Sequence, residues 1–140
     1  AFIPDEYVPD TQNRLMLYKK ASLTASEEEL ADLREELADR YGALPEAVGN
    51  LLGIIDIKIR LRAIRVRELA YDGRFFSLIF ARDTSVSPAT IIELSKLWKE
   101  DMQFSSDSRL ALRIPGLDHA RRLEESKRII GLLAGGVADS

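Results

Sequence analysis

The chain has 140 residues, of which 46% are hydrophobic and 31% charged, and its formal net charge at pH 7 is −3. These values fit a globular domain, and no apolar run reaches the roughly 18 residues that a membrane helix needs. The lack of cysteine excludes disulfides and thiolate metal sites, and it favours a reducing, cytoplasmic setting.

The charge is distributed unevenly along the chain. Residues 1–50 carry eleven acidic and five basic side chains, whereas residues 51–75 carry three acidic and six basic ones. Two partners of opposite charge would explain this pattern, and so would two segments that face each other in the fold. The small negative net charge does not indicate a nucleic-acid-binding protein.

The opening residues predict an extended segment followed by a helix. Pro4 and Pro9 disfavour helical backbone at the residues before them, so we expect residues 1–9 to be extended. Asp10 is a good N-cap for a first helix over about 11–22. The apolar side of that helix is predicted to consist of Leu15, Leu17, Tyr18 and Leu23.

The second predicted helix is strongly amphipathic. Ser26 and Glu29 form a capping box, and leucines and a tyrosine then recur at spacings of three and four, up to Tyr41. We expect Leu33 and Leu37 on the buried side. The outer faces carry the acidic residues Glu28, Asp32, Glu35, Glu36 and Asp39. Gly42 ends this helix.

The third predicted helix begins near Pro45, but its end is ambiguous. Residues 55–69 alternate apolar and charged side chains over most of their length, which is typical of a strand, and the same residues also form a helical apolar face. The residue pattern alone favours neither reading.

The remaining elements are marked by turn and cap residues. Asp72-Gly73 lies between β-prone runs and predicts a two-residue hairpin turn of type I′. Ser87-Pro88 begins a helix, residues 109–114 alternate as a short strand, and Asp118 caps a last helix. The predicted fold is therefore α+β: three N-terminal helices, then a small, mostly antiparallel three-stranded sheet packed with two further helices.

Catalytic and cofactor motifs do not occur in the chain. It has no phosphate-binding glycine loop, so we expect no ATP binding and no other cofactor. His119 is the single histidine and lies at a predicted helix start, where a cap or surface role explains it. The acidic run Glu27–Glu29 suits the first turn of a helix and does not by itself indicate a metal site.

Three segments together resemble one family. They are IPDEYVPDTQNRLMLYKK at 3–20, EEELADLREELADRYGALPEAVGNLL at 27–52 and YDGRFFSLIF at 71–80. This combination is similar to the C-terminal domain of bacterial transcription-repair coupling factors, and the Glu36 to Pro45 motif is especially specific. The resemblance implies a third helix over about 45–63 and a strand over about 65–70. The intervening turn often has Gly in the family where this chain has Arg65.

The resemblance also implies a function. Residues 1–9 would form a connector from a preceding translocase module, residues 10–136 a single regulatory domain, and residues 137–140 a frayed tail. In such proteins the domain is not an enzyme. It docks on the N-terminal UvrB-like module, covers the surface that binds UvrA, and so keeps an ATP-dependent DNA translocase autoinhibited. RNA polymerase and DNA would be partners only through the parent protein, and we expect the isolated domain to be monomeric.

Three residues are the candidates for docking. Glu36 and Asp39 match the family motif and lie three apart, on one helix face, so we expect both to be exposed and to meet a basic surface. Arg40 is a further candidate, although it can also pair internally with Glu36. The alternative function is nucleic-acid binding by the basic stretch 58–74, whose interleaved residues are mostly aliphatic rather than aromatic.

Overall fold

The structure is a computed structural model that describes residues 2–135, so the predicted frayed tail at 137–140 lies outside the described residues. Within 2–135 the chain forms five α-helices and four β-strands, which confirms the α+β class. In chain order they are α1 Thr11–Leu23, α2 Glu27–Tyr41, α3 Glu46–Ala63, β1 Val66–Tyr71, β2 Phe75–Phe80, α4 Pro88–Trp98, β3 Met102–Ser105, β4 Arg109–Arg113 and α5 His119–Gly135. The chain packs as two compact units that divide between Ile59 and Arg60.

The first unit is a helical cluster with one apolar core. Side chains from α1, α2 and the first part of α3 pack together with two residues that precede α1. The fully or nearly fully buried members are Ile3, Val8, Leu17, Ala21, Leu30, Leu33, Leu37, Val48, Leu52 and Ile55. Replacing one of these leucines with alanine would cost about 2–5 kcal/mol, because it removes apolar contact and leaves a cavity.

The segment before α1 is not the extended connector that its prolines predict. Residues 5–7 form a turn, in which the backbone N–H groups of Tyr7 and Val8 each donate to the carbonyl of Pro4 at 3.1 Å. Ile3 and Val8 are buried in the core, and the Arg14 guanidinium donates to the Val8 carbonyl at 2.8 Å. Burial of two apolar side chains on either side of the turn overrides the extended preference that proline imposes locally.

The apolar side of α1 also differs from the prediction. Leu17 is buried, but Leu15 and Leu23 are exposed, and Ala21 completes the buried face instead. The large apolar residues of this helix do not share one helical face, so counting them could not identify the face that packs.

The second unit is built on a four-stranded antiparallel sheet with strand order β1-β2-β4-β3. The predicted three-stranded sheet lacked β3, whose four residues follow a short 3-10 turn at Lys99–Asp101. One face of the sheet presents Phe76, Leu78, Leu110 and Leu112, all of them fully or nearly fully buried. The buried residues of the two helices in this unit are Leu94 of α4 and Ser126, Ile129, Ile130 and Leu133 of α5.

The boundary between α3 and β1 follows the family expectation. The helix ends at Ala63 and the strand begins at Val66, so the alternating pattern of residues 55–69 is divided between a helix and a strand. Arg65 has φ +57°, a left-handed conformation, and its N–H donates to the Arg62 carbonyl at 3.1 Å. A left-handed residue after a helix is usually glycine, so Arg65 is an unusual residue at this turn.

The β1–β2 connection is a hairpin, but it is not the predicted type I′ turn. Gly73 has φ +99°, whereas Asp72 is not among the described residues with positive φ, and a type I′ turn needs both. The Asp72 carboxylate instead accepts hydrogen bonds from the N–H groups of Arg74 and Phe75 at 2.9 and 2.8 Å. The side chain thus stabilises a longer loop than the Asp-Gly pair alone suggests.

Candidate protein-interaction site

The acidic face of α2 is fixed by the way this helix is capped and packed. The Ser26 hydroxyl accepts from the Glu29 N–H at 3.1 Å, as the capping box predicts. Leu30, Leu33 and Leu37 are buried, which confirms the predicted inner side of the helix. The acidic residues occupy the opposite side, since side chains three and four apart share one helical face.

Glu36 does not lie free on this face. Its carboxylate is bonded to the ammonium group of Lys20 from α1, and Arg40 approaches its second oxygen at 4.0 Å. The Glu36 side chain is 29% exposed. The expectation that Glu36 is exposed was therefore wrong, because a lysine one helix away draws the carboxylate into an ion pair that the linear sequence does not reveal.

Asp39 is the free carboxylate of the predicted pair. It is exposed and makes no hydrogen bond or ion pair with any residue in the part of the chain that the structure describes. It lies three residues after Glu36, so both carboxylates project from the same side of α2. Of the two, Asp39 has its full charge available to a partner.

Arg40 is exposed, and its side chain has two contacts within the unit. Its guanidinium carbon lies 5.1 Å from the centre of the Tyr41 ring, and one of its nitrogens lies 4.0 Å from Glu36. This confirms the internal pairing that the i, i+4 spacing predicts. Stacking on an aromatic ring and pairing with a carboxylate both fix the orientation of this side chain.

A cleft of about 280 Å³ opens beside the ion pair. Its walls include Met16 and Lys20 from α1 and Glu36 and Arg40 from α2. Met16 is exposed, so an apolar contact lies next to the charged group. The acidic face offers charge and the cleft offers apolar surface. Protein interfaces combine the two, with polar groups around an apolar contact area.

Tyr7 secures the end of α2 that carries Asp39. Its hydroxyl lies 3.0 Å from the Leu37 carbonyl oxygen and 2.8 Å from that of Gly42. The rings of Tyr7 and Tyr41 are 5.7 Å apart. Burial raises the pKa of Tyr7, and the proximity of Tyr41 raises it further, so the hydroxyl keeps its proton and remains a donor. The last turn of α2 is therefore held by the segment before α1.

Groups for metal binding are not brought together in the described structure. Among residues 2–135, no cluster of three or more His, Cys, Asp or Glu side chains could hold a metal ion. No helix within that range is both long enough and apolar enough to cross a membrane.

The basic stretch 58–74 has exposed side chains on α3, β1 and the hairpin loop. Lys58, Arg62, Arg67 and Arg74 are exposed, and Arg65 is paired with Asp83 at 2.9 Å. The interleaved Leu61, Ile64 and Val66 are buried. The aliphatic residues thus belong to the core and the bases to the surface, as their alternation predicts.

Sequence reasoning missed Lys20 and Met16 as parts of the candidate site. Lys20 is sixteen residues from Glu36 in the chain, and no local pattern connects them. Met16 was not part of the predicted apolar side of α1, and no sequence pattern around it distinguishes an exposed methionine from a buried one. Both require knowledge of how α1 packs against α2.

Comparisons with known proteins agree on one family. A family-level sequence model described as the TRCF domain matches residues 1–91. The chain is 31% identical over 93% of its length to a transcription-repair-coupling factor from Myxococcus xanthus, and 29% identical over 79% to one from Escherichia coli. It spans about a tenth of the length of these relatives, 11% and 10%.

A solved structure shows the same fold. It is the crystal structure of a C-terminal domain of a transcription-repair coupling factor, and it superposes with a TM-score of 0.72. The match covers 93% of this chain and 88% of that one, at 23% sequence identity.

Proposed function

Because the chain belongs to the transcription-repair coupling factor family, we propose that it is a non-catalytic regulatory domain that docks on the N-terminal UvrB-like module of a longer protein. The docked domain masks the surface with which that module binds UvrA. It also restrains an ATP-dependent DNA translocase that removes stalled RNA polymerase. The proposal follows from family membership together with the exposed acidic face of α2.

The observation that carries the docking proposal is the unequal state of the two carboxylates. Asp39 is exposed without a partner among the described residues, while Glu36 is held by Lys20 and Arg40. The free carboxylate of Asp39 is the charge that a basic partner surface would neutralise. The ion pair beside it limits the orientations in which that surface fits. Asp39 is therefore the primary docking residue, and Glu36 and Arg40 shape the surface around it.

The energies of such a latch permit regulation. A flexible tether gives an effective concentration of about millimolar, so an untethered Kd of about 10 μM would favour the docked state about 100-fold. That ratio corresponds to about 2.7 kcal/mol. A close charge pair across an interface contributes about 1.5 kcal/mol or more. Loss of two such contacts, about 3 kcal/mol, would thus release most of the docked population.

Removal of the domain tests the proposal. Deletion of the domain from the full-length protein should raise both UvrA binding and DNA-stimulated ATP hydrolysis, because a restraint on both is lost. Pull-down with UvrA and a steady-state ATPase assay measure the two effects. If both activities fall while circular dichroism shows the remainder folded, the domain is an activator and the proposal fails.

The second candidate function is nucleic-acid binding by the exposed bases of residues 58–74. The observation in its favour is the exposure of Lys58, Arg62, Arg67 and Arg74. Contacts to phosphate would give an affinity that falls steeply with salt. A gel-shift titration with duplex DNA at 50 and 200 mM salt distinguishes the two functions. Nucleic-acid binding predicts a shifted band at 50 mM salt that weakens at 200 mM, whereas the docking function predicts no shifted band at either concentration.

A further inference from the structure

The second unit contains an apolar cavity that the proposed function does not use. The cavity measures about 370 Å³ and lies between the end of the sheet, the loop 81–87 and the start of α4. Its walls include Phe80, Val86, Ile91, Ile92 and Phe104. Two of these apolar side chains are well exposed, since Ile92 is 57% and Phe104 is 49% exposed. A partner that filled the cavity would cover both of them as well.

The strand that borders the cavity has a free edge. Phe104 belongs to β3, which is the outermost strand of the sheet and pairs only with β4 among the strands of residues 2–135. Its other edge has no strand partner, although the Met102 N–H already donates to the Lys99 carbonyl, so the remaining backbone groups of this edge can pair with an added strand. An extended peptide can add to such an edge by forming main-chain hydrogen bonds.

The two edges of the sheet differ in how they are protected. β1, at the opposite edge, has an irregular register between Val66 and Glu68, and the charged Arg67 lies at that point. Bulges and charged side chains are the usual means by which edge strands resist pairing. β3 has the sequence Met-Gln-Phe-Ser, and its pairing with β4 is regular. It has no charge, no proline and no bulge, so its four residues offer a short, regular edge to a partner strand.

The charge at the cavity identifies the kind of peptide. Arg82 lines the cavity, is exposed, and makes no hydrogen bond or ion pair with another residue in the described part of the chain. A carboxylate on the partner would therefore find an unpaired guanidinium at the wall of the cavity, and such a charged pair forms a strong hydrogen bond.

From the cavity, the open edge and the unpaired guanidinium, we propose that this face binds an extended acidic peptide segment of a partner protein. The segment pairs with β3, inserts one large apolar side chain into the cavity and places an Asp or Glu carboxylate at Arg82. This surface is separate from the acidic face of α2, and the two would bind partners of opposite charge.

Selection from a displayed library of random heptapeptides tests this proposal with the 140-residue chain as target. The enriched peptides should combine a large apolar residue with Asp or Glu, and a synthetic copy should bind in fluorescence anisotropy. Ile92→Asp should weaken that binding at least tenfold. Leu97→Asp is the matched control, because Leu97 lies on the same helix, is also 57% exposed and does not line the cavity.

Two further measurements test the charge and the strand pairing. Arg82→Glu should weaken binding by a similar factor, whereas Arg121→Glu, an equal change of charge on α5, should leave it within twofold. Two versions of the peptide would be methylated, one at the odd and one at the even backbone nitrogens. Only one version should lose binding, because only alternate N–H groups of a strand face its partner strand.

Several outcomes would overturn the proposal. The first is that selection enriches no peptide above the starting library. The second is that the peptide binds Ile92→Asp or Arg82→Glu as tightly as it binds the unchanged chain. The third is that both methylated peptides bind as tightly as the unmethylated one. Sedimentation as a dimer that Ile92→Asp abolishes and Leu97→Asp preserves would assign the surface to a second copy of the chain instead. Circular dichroism must show that each variant is folded. If Ile92→Asp is unfolded, Arg82→Glu still tests the proposal.

Discussion

At the scale of single residues, two tyrosines beside α2 differ in what their hydroxyl groups contact. The Tyr7 hydroxyl reaches two carbonyl oxygens, at 3.0 and 2.8 Å. The Tyr41 hydroxyl is shielded from solvent and has no hydrogen-bond partner among the described residues. A buried hydroxyl without a partner lowers stability, whereas one that donates its proton to a carbonyl raises it.

The matched substitutions Tyr7→Phe and Tyr41→Phe should therefore have different effects. Tyr7→Phe should lower the free energy of unfolding by about 1 kcal/mol, because the one O–H that is shared between the Leu37 and Gly42 carbonyls is lost. Tyr41→Phe should leave it unchanged or raise it by up to about 1 kcal/mol. Urea denaturation of both variants measures the difference, and equal losses would show that the Tyr7 contacts do not stabilise the unit.

At the scale of elements, the junction of α3 and β1 depends on one left-handed residue. Arg65 has φ +57°, and its guanidinium pairs with Asp83 on the surface. A side chain with a Cβ at such a position costs about 1–2 kcal/mol, and an exposed ion pair offsets less than about 1 kcal/mol. Arg65 is therefore a residue at which glycine suits the backbone better.

Arg65→Gly should consequently be more stable than Arg65→Ala by about 1 kcal/mol, since both lose the ion pair and only glycine is free of the left-handed penalty. The control is Ala63→Gly on the last turn of α3, which should lower stability by up to about 1 kcal/mol. Chemical denaturation gives all three values. If Arg65→Gly were the less stable of the Arg65 pair, the left-handed turn would be wrong.

The β1–β2 hairpin should lose stability in acid because of Asp72. Hydrogen bonds from the N–H groups of Phe75 and Arg74 hold the pKa of the Asp72 carboxyl below its usual value. A carboxyl whose pKa is lower in the folded chain than in the unfolded chain stabilises the fold. That stabilisation is complete above the pKa of the unfolded chain, near pH 4, and is lost as the pH falls through the pKa of the folded chain. The melting temperature should thus fall between pH 5 and pH 2.5 partly through this group.

Asp72→Asn should reduce that fall, because the amide oxygen still accepts hydrogen bonds but does not titrate. Asp107→Asn is the control, since Asp107 is an exposed carboxylate without a hydrogen bond to another described residue. Calorimetry at several pH values measures both variants. An identical pH dependence in Asp72→Asn and the unchanged chain would mean that the loop is not held by this carboxylate.

The elements were predictable where a local signal marks them. Ser26, Ser87 and Asp118 each accept a hydrogen bond from the backbone N–H three residues later, as their sequence positions indicate. β3 was missed because Met-Gln-Phe-Ser is short, and pairing with β4 rather than its own pattern makes it a strand. The buried face of α1 and the Glu36–Lys20 ion pair were likewise missed, because packing between helices determines both.

At the scale of the whole molecule, the two units carry opposite charge. Residues 1–59 hold six basic and twelve acidic side chains, a net charge of −6, whereas residues 60–140 have a net charge of +3. This division of charge fits two partners of opposite charge, one for each unit. On the proposed functions, a basic module would meet the acidic face of α2, and an acidic peptide would meet the cavity beside β3.

The central claim is that Asp39 docks the chain on the N-terminal module of its parent protein. Asp39→Lys is suited to test it, because Asp39 is exposed and unpaired within the described residues, and a lysine near the end of α2 suits the helix dipole. The fold should change in stability by less than about 1 kcal/mol. Glu36→Lys is less suitable, since it would place a third positive charge beside Lys20 and Arg40.

The most direct measurement is calorimetric titration of the separate N-terminal module with the 140-residue chain. The unchanged chain and Glu124→Lys, an equal change of charge at an exposed position of α5, should bind with the same Kd. Asp39→Lys should bind at least tenfold more weakly, which corresponds to about 1.4 kcal/mol, because it opposes like charges across the interface. Equal Kd values for all three proteins, with melting temperatures unchanged, would contradict docking through the acidic face of α2.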